Sequence, residues 1–143
     1  IKIMKLSGLC KINGKDLWNV WGGLLQRGAY EALMTPSGLK SFIENKSRLK
    51  DGTDVIVKEP KVEERTFSIS IRIRGESEAQ YLSRYQSFIN ELQSGMLRLE
   101  VPALKTTYKL LYENCTKYGN CGKKAGLFNI KFREPNPKDR IAL

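Results

Sequence analysis

The chain has no histidine, so it lacks the side chain that most often serves as general base at neutral pH, as metal ligand, or as partner of a serine or cysteine nucleophile. Most hydrolase mechanisms are disfavoured with it. Cysteine is scarce: Cys10, Cys115 and Cys121 form an odd set, which suits reduced thiols better than a disulfide framework. A Cys115/Cys121 bridge would close a small loop under oxidation. Zinc requires about four ligands at C-x₂₋₄-C type spacing, whereas Cys115 and Cys121 are separated by five residues and no second pair follows. No metal site is therefore assigned. No apolar run approaches the roughly 20 residues of a bilayer-spanning helix. The start of the chain, with Lys2 and Lys5 among apolar positions, lacks the apolar centre and cleavage site of a secretory leader. Neither a membrane segment nor a leader is expected.

Two further motifs fall short of chemistry. Gly122-Lys123-Lys124 is similar to the end of a phosphate-binding loop, but Lys117 stands where the earlier glycine belongs and no Ser or Thr follows Lys123. Glu63 with Glu64, and Asp51 with Asp54, are carboxylate pairs in a strongly charged stretch. Solvated surface suits them better than the buried environment that separates the pKa values of an acid and a base. The reading is of a protein with no catalytic residue, no cofactor and no small-molecule substrate.

What the chain does have is positive charge, +10 from 25 basic and 15 acidic residues, which brings a polyanionic partner into consideration. The basic residues are spread along the chain and form no block, as a soluble surface requires. Phe128-Asn129-Ile130-Lys131-Phe132-Arg133 interleaves rings with cations, as a nucleic-acid-stacking strand does, but its three apolar residues share one face and a core explains them more simply. A nucleic-acid-binding module remains the alternative function. With 143 residues, 41% of them hydrophobic, the chain is expected to be a single domain over 1–143.

Periodicity then assigns elements. Asn13-Gly14 between Leu9 to Ile12 and Leu17-Trp18 has the residue chemistry of a tight hairpin. Leu24 to Met34 reads as a further strand pair or an irregular arm. Pro36-Ser37-Gly38 is a break, and Leu39, Phe42 and Ile43 have the spacing of a short helix over 39–45. The stretch 46–64 is charged, interrupted by Gly52 and Pro60, and reads as a long loop, arm or projecting hairpin. Phe67, Ile69, Ile71 and Ile73 alternate with Ser68, Ser70, Arg72 and Arg74, the period of a strand with one apolar face. Ser77 and Gln80 form a capping box that opens a helix over about 76–94, whose apolar stripe is Tyr81, Leu82, Tyr85, Phe88, Ile89 and Leu92. Gly95 ends it. Leu97 to Val101 and Thr106 to Tyr112 predict a hairpin, 114–126 is turn-rich, and Phe128 to Phe132 predicts the last strand. From Glu134 to Pro137 a ladder cannot continue, leaving 134–143 as a C-terminal tail. Without β-α-β alternation, the fold class is α+β: a mostly antiparallel β-sandwich or β-barrel with one main flanking helix.

Trp18 and Trp21 are candidate contact residues, since tryptophan is enriched where partners meet, although a core role for at least one fits equally. The length of the 46–64 stretch favours an arm reaching an adjacent subunit over a solvated excursion, which makes Arg48, Lys50, Asp51, Asp54 and Lys58 candidates as well.

The order of Asp16-Leu17-Trp18 with Trp21-Gly22, Leu33 to Pro36 with Leu39-Lys40, Asp51-Gly52, Glu64-Arg65-Thr66 before the alternating strand, and the closing Lys131-Phe132-Arg133-Glu134-Pro135-Asn136-Pro137 resembles the tail-tube and distal-tail (baseplate-hub) proteins of tailed bacteriophages and prophages. The resemblance implies a structural subunit that forms a ring, a hexamer in the assembled tail, with loops bridging to neighbouring rings and to other tail proteins. It implies synthesis in the bacterial cytoplasm, location in the virion tail, and DNA passing through the channel without specific binding. The polar face of Thr66 to Arg74, with Arg72 and Arg74, then joins the candidate interface.

Overall fold

The computed structural model describes residues 6–41, 43–46, 53–56 and 61–143. Asn13 (φ 52°) and Gly14 (φ 81°) both occupy the left-handed region, as a two-residue hairpin turn requires. They join β1 (Lys11–Ile12) to β2 (Lys15–Asp16). The expected continuation of this strand into Leu17-Trp18 does not occur. The Asp16 carboxylate accepts the Asn19 N–H at 2.9 Å, a side-chain cap that starts α1 (Leu17–Trp21) instead. Gly22 (φ 61°) closes α1 by donating to Trp18 O at 2.8 Å. The next stretch, expected as paired strands or an arm, contains one short strand, β3 (Leu24–Leu25), and a six-residue helix, α2 (Ala29–Met34).

The helix expected over 39–45 is replaced by strand pairing. Leu39 bridges Val62, Lys40 N–H donates to Lys61 O at 2.8 Å, and β4 (Ile43–Lys46) pairs with β5 (Thr53–Ile56) in a two-stranded sheet. A helix of one or two turns is marginal alone, and the antiparallel partner captures these backbone groups first. Phe42 lies outside the described residues, as do the 47–52 and 57–60 segments of the charged stretch.

The main sheet follows: β6 (Arg65–Arg74), then α3 (Glu78–Leu92), β7 (Met96–Val101), β8 (Thr106–Cys121), β9 (Ala125–Glu134) and β10 (Ile141–Ala142). Its order is β2-β1-β7-β8-β9-β6-β3, with β10 also on β8, and every pair is antiparallel. The segment 114–126, expected to be turns, is strand except for 122–124. Its polar and glycine residues pair with the continuous strand β9 through two bulges, and that ladder overrides their local preference. The ladder does stop at Pro135, but it resumes where Ile141 and Ala142 pair with Thr107 and Thr106.

Laid flat, seven strands in this order would separate β2 from β3 by roughly 29 Å, six steps of about 4.8 Å. The chain between Asp16 and Leu24 is mostly one short helix and cannot span that width, so the sheet curls and α1 links its two margins. Helix α3 packs inside the curl through Tyr81, Phe88 and Leu92, with Phe88 meeting Trp21 edge-on at 5.7 Å and Phe128 at 5.4 Å. At its N-terminus Ser77 Oγ accepts the Gln80 N–H at 3.1 Å, and Gln80 Oε1 accepts from Glu76 N–H, one residue earlier than a capping box places it. Gly75 lets strand and helix meet: a Cβ there would stand 2.6 Å from Tyr81 N. The fold class is thus α+β, a mostly antiparallel sheet with one main helix.

Candidate subunit interface

Period two sends Thr66, Ser68, Ser70, Arg72 and Arg74 outward from β6, and the register sets Arg133, Lys131, Asn129, Leu127 and Ala125 of β9 beside them. The outward face is accordingly basic. Arg133 is paired with Glu64, Nε to Oε2 at 2.8 Å, a pair exposed on both sides and of little value to stability. Arg72, Arg74 and Lys131 are exposed and have no anionic partner among the described residues.

The two tryptophans part company. Trp21 is 0% exposed and its indole N–H donates to Ser87 Oγ at 3.0 Å, so it is a core residue and offers no surface to a partner. The apolar inner face of α3 claims it because Leu17 and Trp21 lie one helical turn apart on the buried side of α1. Trp18 is half-buried and lines an open cleft of about 440 Å³ with Asn19, Arg74, Glu76 and Arg84. Arg84 Nη1 donates to Arg74 O at 2.5 Å, tying helix α3 to the end of β6. Of the sequence-derived candidates, Trp18 and Arg74 therefore come together, with Arg72 two residues back on the same face. Asp54 falls in β5, opposite Asn45. Arg48, Lys50, Asp51 and Lys58 lie outside the described residues.

A buried ionic cluster was not anticipated. Arg65 Nε donates to Glu134 Oε1 at 2.8 Å, and Arg140 donates to both Glu134 oxygens at 2.9 Å. Arg65 Nη1 also reaches the α2-terminal carbonyls of Ala32, Leu33 and Thr35 at 3.2, 2.8 and 2.6 Å, and its guanidinium lies 4.5 Å from the Phe67 ring centre. Glu134 is 0% and Arg65 6% exposed. One carboxylate and two guanidiniums thus join α2, β6, β9 and the C-terminal segment, and donation to the Glu134 carboxylate holds Arg140 more firmly protonated than usual. Parity was the available signal: Arg65 extends the inward row Phe67, Ile69, Ile71, Ile73, and Glu134 extends Phe128, Ile130, Phe132.

Helix α3 also departs from its expected stripe. Leu82 is 59% exposed and forms a groove of about 390 Å³ with Glu78, Tyr81, Tyr85, Tyr118, Asn120 and Lys123, an acid and a base both on its rim. Its wall is rigid: the Tyr81 and Tyr118 hydroxyls are 2.5 Å apart, Asn120 Nδ2 donates to Tyr118 at 2.9 Å, and the Tyr118 and Phe128 rings pack at 4.9 Å. Burial, then the Tyr118 contact, raises the Tyr81 phenol well above its ordinary range.

The thiols divide by environment. Burial, with Asp16 and Glu100 adding, pushes Cys10 up to about 12. Cys115 and Cys121 lie six residues apart on one strand, about 20 Å at a strand's rise per residue, far beyond the roughly 7 Å limit for a bridge. Both are free. Among the described residues no three acidic or cysteine side chains gather as a metal site, and no helix is long and apolar enough to cross a membrane.

Neither a family model nor a curated protein matches the chain. Among solved structures, the SPP1 Dit (gp 19.1) protein superposes with a TM-score of 0.62 over 90% of this chain. The fold is similar to that of a phage hub protein. That structure is described as a paradigm of the hub adsorption apparatus in phages infecting Gram-positive bacteria, and its sequence is 16% identical. This chain matches 50% of that protein's length, so the likeness is one of fold over half of the larger molecule.

Proposed function

We propose that this chain is a structural subunit of a phage or prophage tail, acting at the distal tail end by ring-forming self-assembly and by contact with other tail proteins. The observation that carries the reading is the shared fold with a tail hub protein over 90% of the chain. The surface agrees with it: what the molecule presents outward is a basic sheet face and a largely apolar groove, features suited to packing against other subunits. In this reading residues 1–143 act as one domain, the 46–64 stretch reaches a neighbouring subunit, and the ring is a hexamer in the virion tail. The basic face turns away from a DNA-conducting channel, because phosphate contacts strengthen with every cation. Light scattering after size exclusion, over a range of concentrations, tests self-assembly. A concentration-dependent closed oligomer supports it, and a strict monomer at millimolar concentration refutes it.

The exposed Arg72, Arg74 and Lys131 on one sheet face favour a second reading, a nucleic-acid-binding module. It requires gel-shift binding at low salt that weakens steeply as salt rises. No shift at low salt dismisses it.

A further inference from the structure

From Lys138 to Leu143 every residue is exposed, although β10 lies in this stretch and pairs with β8. Ile141 and Leu143, 42% and 54% exposed, line an open cleft of about 550 Å³ with Asn13, Arg98 and Glu100 and take no part in the core. Pro137, immediately before, is buried. Asn136 builds a turn around it: its Oδ1 accepts the Lys138 N–H at 3.1 Å, and its carbonyl accepts the Asp139 N–H at 3.0 Å. Beyond that turn the contacts among the described residues are few. Lys109 Nζ donates to Asp139 at 3.0 Å, an exposed pair of little weight. The Leu143 N–H donates to Lys105 O at 3.0 Å, next to the short β10 pairing. Arg140 reaches the Glu134 carboxylate, with its guanidinium 4.9 Å from the Tyr108 ring centre.

We propose that residues 138–143 form a strap, clasped by Arg140 and hinged at Pro137, that opens as a unit while the sheet and the Glu134–Arg65 pair stay intact. The charge count in the buried cluster makes this possible. One carboxylate faces two guanidiniums, and Arg65 is fixed by Glu134 and by the carbonyls of Ala32, Leu33 and Thr35, none of them part of the strap. When Arg140 leaves, Glu134 therefore keeps a counter-charge, and a buried one-to-one pair remains. The cost of an uncompensated buried charge does not arise. Arg140, its side chain already 31% exposed, passes into water. The hinge helps as well: Pro135 and Pro137 have no N–H to offer a ladder, so the strap is not zipped to β9 and can move without it. Segments with few buried apolar contacts and exposed backbone bonds are those that open locally. Opening uncovers the Thr106–Thr107 edge of β8 and the Tyr108 ring, both covered in the closed form. The subunit thus has two forms, one with that strand edge paired and one with it free.

Amide hydrogen exchange of the whole chain, followed by NMR in a series of low urea concentrations, tests the strap without any variant. The Leu143 amide should exchange about 100-fold or more faster than that of Ile130 in the β6–β9 ladder, after correction for intrinsic rates. Its rate should also be nearly independent of urea, because opening the strap exposes little surface, whereas the Ile130 rate should climb with urea as whole-domain unfolding does. Arg140→Gln tests the clasp. It should quicken Leu143 exchange about tenfold, the weight of one charge-assisted hydrogen bond, and lower the thermal midpoint by less than half as much as Glu134→Gln does. A Leu143 rate that rises with urea in step with Ile130 would mean that the strap opens only when the domain unfolds. An unchanged Leu143 rate in Arg140→Gln would mean that Arg140 is no clasp, and a midpoint as low as that of Glu134→Gln would mean that both guanidiniums are needed. Any one of these three results overturns the proposal.

Discussion

Replacing Glu134 by glutamine preserves the shape of the side chain and removes the charge that two guanidiniums share. In the native protein this carboxylate is fully buried and accepts from Arg65 at 2.8 Å and from Arg140 at 2.9 Å. The substitution leaves Arg65, 6% exposed, as a buried cation without its counter-charge. Breaking a buried pair from one side costs about 3–5 kcal/mol, a large share of the roughly 5–15 kcal/mol that holds a domain together. At about 3 °C per kcal/mol for a domain of this size, the thermal midpoint should fall by about 10–15 °C at neutral pH. Circular dichroism melts read it directly. Glu64→Gln is the control, because it breaks the exposed pair with Arg133, and its melt should overlay the wild type. Arg65→Met should be at least as damaging as Glu134→Gln, since it also strips three carbonyls at the end of α2. Combining Arg65→Met with Glu134→Leu should cost less than the sum of the singles, by about 2–3 kcal/mol, because Arg140 can turn to solvent once the carboxylate is gone. A Glu134→Gln midpoint within 3 °C of the wild type would refute the reasoning, because the buried cation would then have cost about 1 kcal/mol or less.

In the folded protein Cys121 should react with a thiol reagent quickly, Cys115 more slowly, and Cys10 only on unfolding, given their burial and the Cys10 thiol raised to about 12; three rapid thiols in an Ellman titration would contradict the structure. Burial works against the Glu91 charge, but hydrogen bonds from Asn13 at 2.8 Å and Lys15 at 2.9 Å outweigh it and hold the carboxyl below its ordinary 4.5. A carboxyl depressed in the folded state contributes stability above pH 4.5 and loses it as pH falls through the folded value, so Glu91→Gln should flatten the stability profile below pH 4.5 in urea titrations; an unchanged acid limb would count against the contact. Gly75→Ala places a methyl 2.6 Å from Tyr81 N and should lower stability by about 1–3 kcal/mol, the usual cost of overpacking; a neutral result in chemical denaturation would show that strand and helix can move apart.

The parts of the fold that periodicity shows are those whose burial is one-sided and whose length lets a pattern repeat. Strand β6, with four inward apolar residues in alternation, and helix α3, with its capped start, meet both conditions. Helices α1 and α2, of five and six residues, are too short for a 3.6-residue period to repeat. Each depends on a particular side chain, the Asp16 cap or the Arg65 guanidinium, whose role appears only once distant segments meet. The far half of β8 is exposed almost throughout, so it has no alternation to display and its strand character comes wholly from β9. At the candidate interface, Trp18 and Arg74 are joined by the turn from α1 to β3 and by the end of β6, a proximity that sequence separation hides. Trp21 and Trp18 differ in fate because α1 has one buried face: at about 100° per residue, Leu17 and Trp21 lie about 40° apart on it, and Trp18 stands about 60° beyond Trp21 at its margin.

The same angular reasoning explains why Leu82 reads as core and stands outside it. Counting from Tyr81, a helix sets Tyr85, Phe88 and Leu92 within about 40° of one direction and Leu82 about 100° away. The sheet beneath covers the first group, and Leu82 is left on the shoulder. A single exposed leucine means little, but this one adjoins Tyr85 and Tyr118 in a groove whose wall is fixed by hydroxyl and ring contacts. Full burial of a leucine is worth about 1.5–3 kcal/mol, and more than half of its surface is left in water. Much of that free energy is therefore unclaimed by folding and is available to association. An identical argument applies to Met34 on α2, which Arg65 holds rigid.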